Sequence, residues 1–158
     1  MTRLKIARRQ GDALPFSFVR RLLAAVLSLC AWPALAQSNP VAELSAGMYR
    51  IQAEVVAEPQ TRARGLMHRK AVQSNAGMLF IFDDHGTHCM WMKNTLIPLS
   101  VAFIDDRGTI VNIEDMEAHS LQSHCAARPV KYALEMNRGW FAARGIKPGA
   151  RLGGVPPK

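Results

Sequence analysis

The stretch LSVAFIDDRGTIVNIEDM, Leu99 to Met116, decides the kind of fold. Leu99, Val101 and Phe103 alternate with Ser100 and Ala102, the period of a strand with one face turned inward. Asp105-Asp106-Arg107-Gly108 then carries the turn chemistry of a tight hairpin, where Asp bonds local backbone and Gly accepts a positive φ. The returning arm sets Ile110, Asn112 and Glu114 opposite Val111, Ile113 and Asp115. The expectation is an antiparallel hairpin.

Strand signals continue on both sides of it. Upstream, MLFIF (Met78 to Phe82) is a short, fully apolar strand, and CMWM starts another at Cys89 after the Gly-containing, hairpin-type loop DDHGTH. MYRIQAEVVA alternates Met48, Arg50 and Gln52 with Tyr49, Ile51 and Ala53, as a half-buried strand does. Pro59 stands near the first turn of a short helix in EPQTRARGLMHR, with Leu66 and Met67 inward and Arg62, Arg64 and Arg69 on the polar side. Downstream, EAHSLQSHCAARPV has neither period and reads as a loop. KYALEM (Lys131 to Met136) is a strand, NRGWFAARGI one or two helical turns, and KPGARLGG a short strand or loop. No internal repeat is present. The sum is a mostly β, β-rich α+β domain: a small antiparallel sandwich or barrel with one short helix.

Residues 1–36 read as an export leader. Arg20-Arg21 precede LLAAVLSLCAW, and PALA ends at Ala36 with the small-x-small pattern of a signal peptidase site. Eleven apolar residues are too few for a membrane-spanning helix, which takes about 20. The long basic lead places an alternative translation start near Val19, and a Sec signal fits better than a twin-arginine one. Cys30 follows Leu29, which is too large for a lipoprotein anchor. The expected product is periplasmic or secreted, with a flexible segment over 37–47 and a single domain over 48–158.

The leader also explains most of the charge. The chain is at +8, but six of its 20 Lys/Arg and one of its 12 Asp/Glu lie in residues 1–36, leaving 14 against 11, a net +3. That is not the clustered basic field of a nucleic-acid binder. Two of the three cysteines follow the leader, Cys89 and Cys125. An oxidising compartment permits them to pair, although nothing in their spacing requires it.

RGLMHR, GMLFIF, WMKNTLIPLSVAFID, a downstream Cys and ALEMNRG occur together in an order and spacing that resemble the domain of unknown function 192 family. The resemblance covers about residues 55–151. It implies a compact, mostly β domain, often exported, and no established activity, substrate or cofactor. His68 and Cys89-Met90 depart from the family pattern, whereas Cys125 matches a position where the family often carries Cys. That argues against a Cys89–Cys125 bond as a device of the whole family.

Within this pattern WMKNT, Trp91 to Thr95, is the candidate site. Strand alternation would set Cys89, Trp91 and Lys93 on one face and Met90, Met92 and Asn94 on the other, the Met side facing the core. Asn94 and Thr95 then cap a bend, with Lys93 reaching to solvent. Alternatively, Trp91, Lys93, Asn94 and Thr95 wall a cleft for a small anionic or sugar-like ligand, an indole giving a flat platform and an ammonium giving charge. Arg64, Arg69, Glu135 and Asn137 are the polar residues expected to join them. The next alternative is copper or zinc held by His88, Cys89, His124 and Cys125, with Met67, Met78, Met92 and Met136 nearby. Against it, adjacent strand residues point apart, no chelating spacing is present, and core packing accounts for the Met residues. A hydrolase using Cys125 with His119 or His124 ranks third, since no nucleophile-elbow context surrounds any Ser. No cofactor is identified, and the balance leans away from an enzyme.

Overall fold

The computed structural model of the protein describes residues 38–156, so residues 1–36, read above as an export leader, lie outside the described residues. In chain order the strands are β1 (Val41–Ala46), β2 (Tyr49–Val56), β3 (Ala76–Gly86), β4 (Cys89–Met90), β5 (Leu99–Ile104), β6 (Ile110–Met116), β7 (His124–Cys125), β8 (Val130–Asn137) and β9 (Leu152–Gly153). A helix α1 (Pro59–Arg64) follows β2, and a 3-10 turn spans Ala142–Arg144. Seven strands form one curled sheet, a half-barrel in the order β6-β5-β8-β3-β2-β1-β9, and β4 with β7 forms a small second sheet.

The hairpin forms as its sequence requires. β5 pairs with β6 from Leu99↔Met116 to Ile104↔Ile110, and the Asp105 carboxylate accepts from the Thr109 N–H at 2.8 Å inside the turn. Gly108 takes φ 79°, and a Cβ there would stand 2.8 Å from the Leu152 carbonyl oxygen. Glycine is therefore required twice over, by conformation and by space. Through this turn the far ends of the sheet meet. The Leu152 N–H donates to the Gly108 carbonyl (2.8 Å), Ile110 donates to Ala150 (2.9 Å), and Leu152 also pairs with Ala46 on β1.

Four local expectations are corrected. The segment expected to be flexible, 37–47, contains β1, whose six residues pair with β2 from Val41↔Glu54 to Ala46↔Tyr49. Its polar letters gave no signal because only Leu44 and Ala46 are fully buried. β2 and β3 pair in parallel, Gln52↔Ala76 to Val56↔Phe80, so the sheet is not wholly antiparallel. Parallel neighbours need a crossover, and α1 with the loop after it supplies one. β3 runs on to Gly86 and pairs with β8, so DDHGTH does not join a β3–β4 hairpin. Finally, strand β4 ends at Met90, and Trp91 to Pro98 is a turn-rich loop. Asn94 there adopts φ 57°, a left-handed conformation that Asn tolerates and that no strand continues through.

Strand alternation divides the buried side chains between two faces. Leu44, Ile51, Leu79, Ile104, Leu134 and Met136 fill one, capped by Trp140 and Phe141 from the chain after β8. Trp140 and Phe141 meet edge to face at 5.2 Å. Met78, Phe80, Met92, Val101, Phe103 and Met116 fill the other, where α1 and the loops lie. Each such side chain contributes about 1.5–3 kcal/mol by leaving water. No helix among the described residues is long and apolar enough to cross a membrane.

Candidate functional site

On the second face the cover is incomplete. A cleft of about 230 Å³ opens between α1, the loop Gly65–Met67, the end of β3 and the β4 strand with Trp91. Phe80 and Phe82 form its apolar wall, the exposed Trp91 part of its rim, and the buried Thr95 and Glu135 its inner side. This volume is below the roughly 300–1,000 Å³ of sites for drug-sized ligands. It suits a molecule of monosaccharide size.

Glu135 is the anomalous group. It lies mid-strand on β8, the third strand of the seven, flanked by Met78 on β3 and Val101 on β5. It is 3 % exposed, and its carboxyl has neither hydrogen-bond partner nor ion pair among the described residues. Burial with no compensating charge pushes its pKa up to about 8. At neutral pH it is an uncharged acid, able both to donate and to accept a hydrogen bond. Buried polar groups are nearly always satisfied, which makes this carboxyl an exception within the fold.

Two arginines frame the opening and differ in state. Arg62 is tied down, donating to the Ile81 carbonyl at 3.0 Å, to the Asp83 carboxylate at 2.6 Å and to the Ala57 carbonyl. Arg64 is exposed and has no partner among the described residues. Helix α1 explains the difference. Two residues apart on a helix, positions 62 and 64 diverge by about 200°, so Arg62 reaches β3 while Arg64 stays in solvent, both lining the cleft.

The WMKNT loop is held between two neighbours. The Asn94 carbonyl accepts from His68 N–H at 2.9 Å, Met92 N–H donates to Ser120 at 3.0 Å, and His119 N–H donates to Thr95 at 3.0 Å. Met92 is fully buried, while Trp91 is 49 % exposed and carries the Lys93 ammonium 5.3 Å from its ring centroid. Of the residues singled out from sequence, Arg64, Trp91, Thr95 and Glu135 thus come together in one cleft. Lys93 and Asn94 border it through Trp91 and the turn, without lining it. Arg69 is elsewhere, paired with Glu54 through both carboxylate oxygens. That contact lowers the Glu54 pKa and raises that of Arg69. Asn137 is likewise occupied, donating to the carbonyls of Val72 and Gln73 at 3.1 Å. Arg62, Phe80 and Phe82 line the cleft without having been singled out. The one signal for them was the short apolar run of β3 next to a helix rich in Arg.

Cys89 and Cys125 are joined in a disulfide across the β4–β7 pair. Asn112 anchors that pair to β6, donating to the Cys125 carbonyl and accepting from Ala127 N–H, both at 3.0 Å. The bond occupies both sulfurs that the metal alternative needed. His88 stacks on Phe82 with ring centroids 3.8 Å apart, and His124 faces Glu114 at 4.0 Å. No group of three or more His, Cys, Asp or Glu able to hold a metal is present among the described residues.

The profile of the DUF192 family, described as Uncharacterized ACR, matches residues 42–154. The chain belongs to this family. A solved relative, a candidate transcription regulator of Sinorhizobium meliloti 1021, is 35% identical over 75% of this chain and 96% of its own, with a TM-score of 0.71. A second, a protein of unknown function from Novosphingobium aromaticivorans, is 27% identical over 77% of this chain and 89% of its own, with a TM-score of 0.70. No curated protein matches the chain. The family and these relatives carry the fold and leave the activity open.

Proposed function

We propose that this DUF192 protein is an exported ligand-binding module whose cleft takes a small anionic or sugar-like molecule. The observation that carries the reading is Glu135, an unpartnered acid 97 % buried at the inner end of a cleft with an unpaired arginine at its mouth. A fold gains nothing from such an arrangement, because a desolvated carboxyl without partners costs stability. The lining supplies the other elements of recognition, an indole platform at Trp91 and a hydroxyl at the buried Thr95. The leader sequence and the disulfide favour an oxidising compartment. The +3 charge left after the leader gives no reason to read nucleic-acid binding.

The test is a thermal-shift screen with small carboxylates, phosphates and sugars, repeated with Arg64→Ala and Trp91→Ala. A ligand at about 100 times its Kd adds about 2.7 kcal/mol of stability, a shift of several degrees for a domain this size. The reading requires a hit that both variants lose. A hit indifferent to both, or none at all, would abandon it. For export, sequencing the N-terminus of the mature protein should begin at Gln37.

A further inference from the structure

We propose, building on that cleft reading, that the ligand class is a hydroxylated carboxylate of monosaccharide size, its carboxylate held by Arg64 and its hydroxyl end hydrogen-bonded by Glu135. The polarity of the cleft fixes the direction. Arg64 is exposed and unpaired, whereas Arg62 is already neutralised by Asp83, so one uncompensated charge is available, and it lies where water still reaches. A ligand carboxylate there keeps part of its hydration and gains a charge-assisted contact. Pushed to the inner end, the same carboxylate would be buried beside an acid and apolar walls, which is costly. Hydroxyls suit the inner end, where Glu135 in its acid form both donates and accepts. Phe80, Phe82 and the Trp91 indole provide apolar surface for the C–H faces of a ring.

The charged surroundings of Glu135 are few. α1 contributes Arg62 and Arg64, and β3 and β5 oppose it with Met78 and Val101. Lys131, on the same face of β8, is engaged by the Asp83 carbonyl at 2.8 Å, and His88 stands against Phe82. Nothing near Glu135 therefore favours its ionised form strongly, and the ligand meets a neutral acid. Above about pH 8 that acid loses its donor proton and sets a negative charge facing a negative ligand.

Three related probes test this by titration calorimetry: D-galacturonate and D-galactose, which differ at C6 in a carboxylate against a hydroxymethyl group, and D-galactosamine, which carries an ammonium group at C2. Galacturonate should bind about tenfold or more tightly than galactose, and Arg64→Ala should erase that preference. Between about pH 6.5 and pH 9 its affinity should fall about tenfold, and Glu135→Gln, which keeps a donor but no titrating proton, should flatten the profile. Galactose or galactosamine binding as well as galacturonate would overturn the ligand class while leaving the cleft in place. No saturable binding of any probe up to about 10 mM would overturn it too. The cleft reading would then depend on the wider screen alone.

Discussion

Strand β8 serves two cores at once, and the two are finished differently. Leu134 and Met136 point to a face that the chain after β8 seals with Trp140 and Phe141. Ala133 and Glu135 point to a face covered by α1, short loops and a two-residue ribbon, where a cleft remains. The sealed side is held by large interlocking side chains. The open side relies on a helix of six residues that buries none of its side chains, and on one covalent bond. The same sheet thus carries a sealed side and an open side, and a buried carboxyl that the first would exclude is tolerated on the second.

The harshest way to break this division is to part the strands that both faces share. Gly77 lies on β3 against β8, and a Cβ there would collide with the Glu135 carbonyl and the Met136 sulfur. Gly77→Ala should cost more than about 4 kcal/mol, visible as loss of cooperative urea unfolding or of soluble protein. Next comes the covalent bond. Replacing Cys89 and Cys125 together by Ser should lower stability by about 3–4 kcal/mol, the chain-entropy cost for a loop of 36 residues. Amide exchange should loosen in β4, β7 and the WMKNT loop well before the face beneath Trp140. Uniform loosening would deny that the faces are separable.

A gentler probe uses pH. Folded Glu135 keeps its proton to about pH 8, above the ordinary value of 4.5 that the unfolded chain regains. Between those values the folded protein holds a proton that the unfolded chain has released. Stability from this group is therefore complete below about pH 4.5 and declines as pH rises toward 8. The steepest decline is about 1.4 kcal/mol per pH unit. Urea midpoints across that window should slope less in Glu135→Gln, and equal slopes would mean the carboxyl is ionised after all. The smallest effect belongs to Lys93→Met, on the surface beside Trp91. Its unfolding free energy should stay within about 0.5 kcal/mol of the parent.

The fold was legible wherever burial on one face imposed a period. Leu99 to Met116 and Lys131 to Met136 announced their strands because every second residue had to be apolar, or every residue where both faces are covered. β1 was hidden, since VAELSA is half exposed and flanked by Asn39, Pro40 and Gly47. The parallel β2–β3 pairing was hidden as well, because register between strands depends on how a crossover packs and not on local composition. At the site, Glu135, Trp91, Thr95 and Arg64 stood out as polar or bulky interruptions of apolar pattern. Arg62 was missed, because its place turns on which side of a short helix meets Asp83. Lys93 looked like a wall residue only while the strand was assumed to run past Met90. The left-handed turn at Asn94 ended that alternation.

The position of β9 has a consequence for how the molecule comes into being. Among the described residues, 149–153 link β1 to the turn at Gly108–Ile110, although both partners lie far upstream in the chain. The curl of the sheet therefore cannot close until residues 149–153 have joined its two ends. Until then β1 and β6 present raw edges, and a chain truncated before Ala150 would keep them, with self-association as its fate.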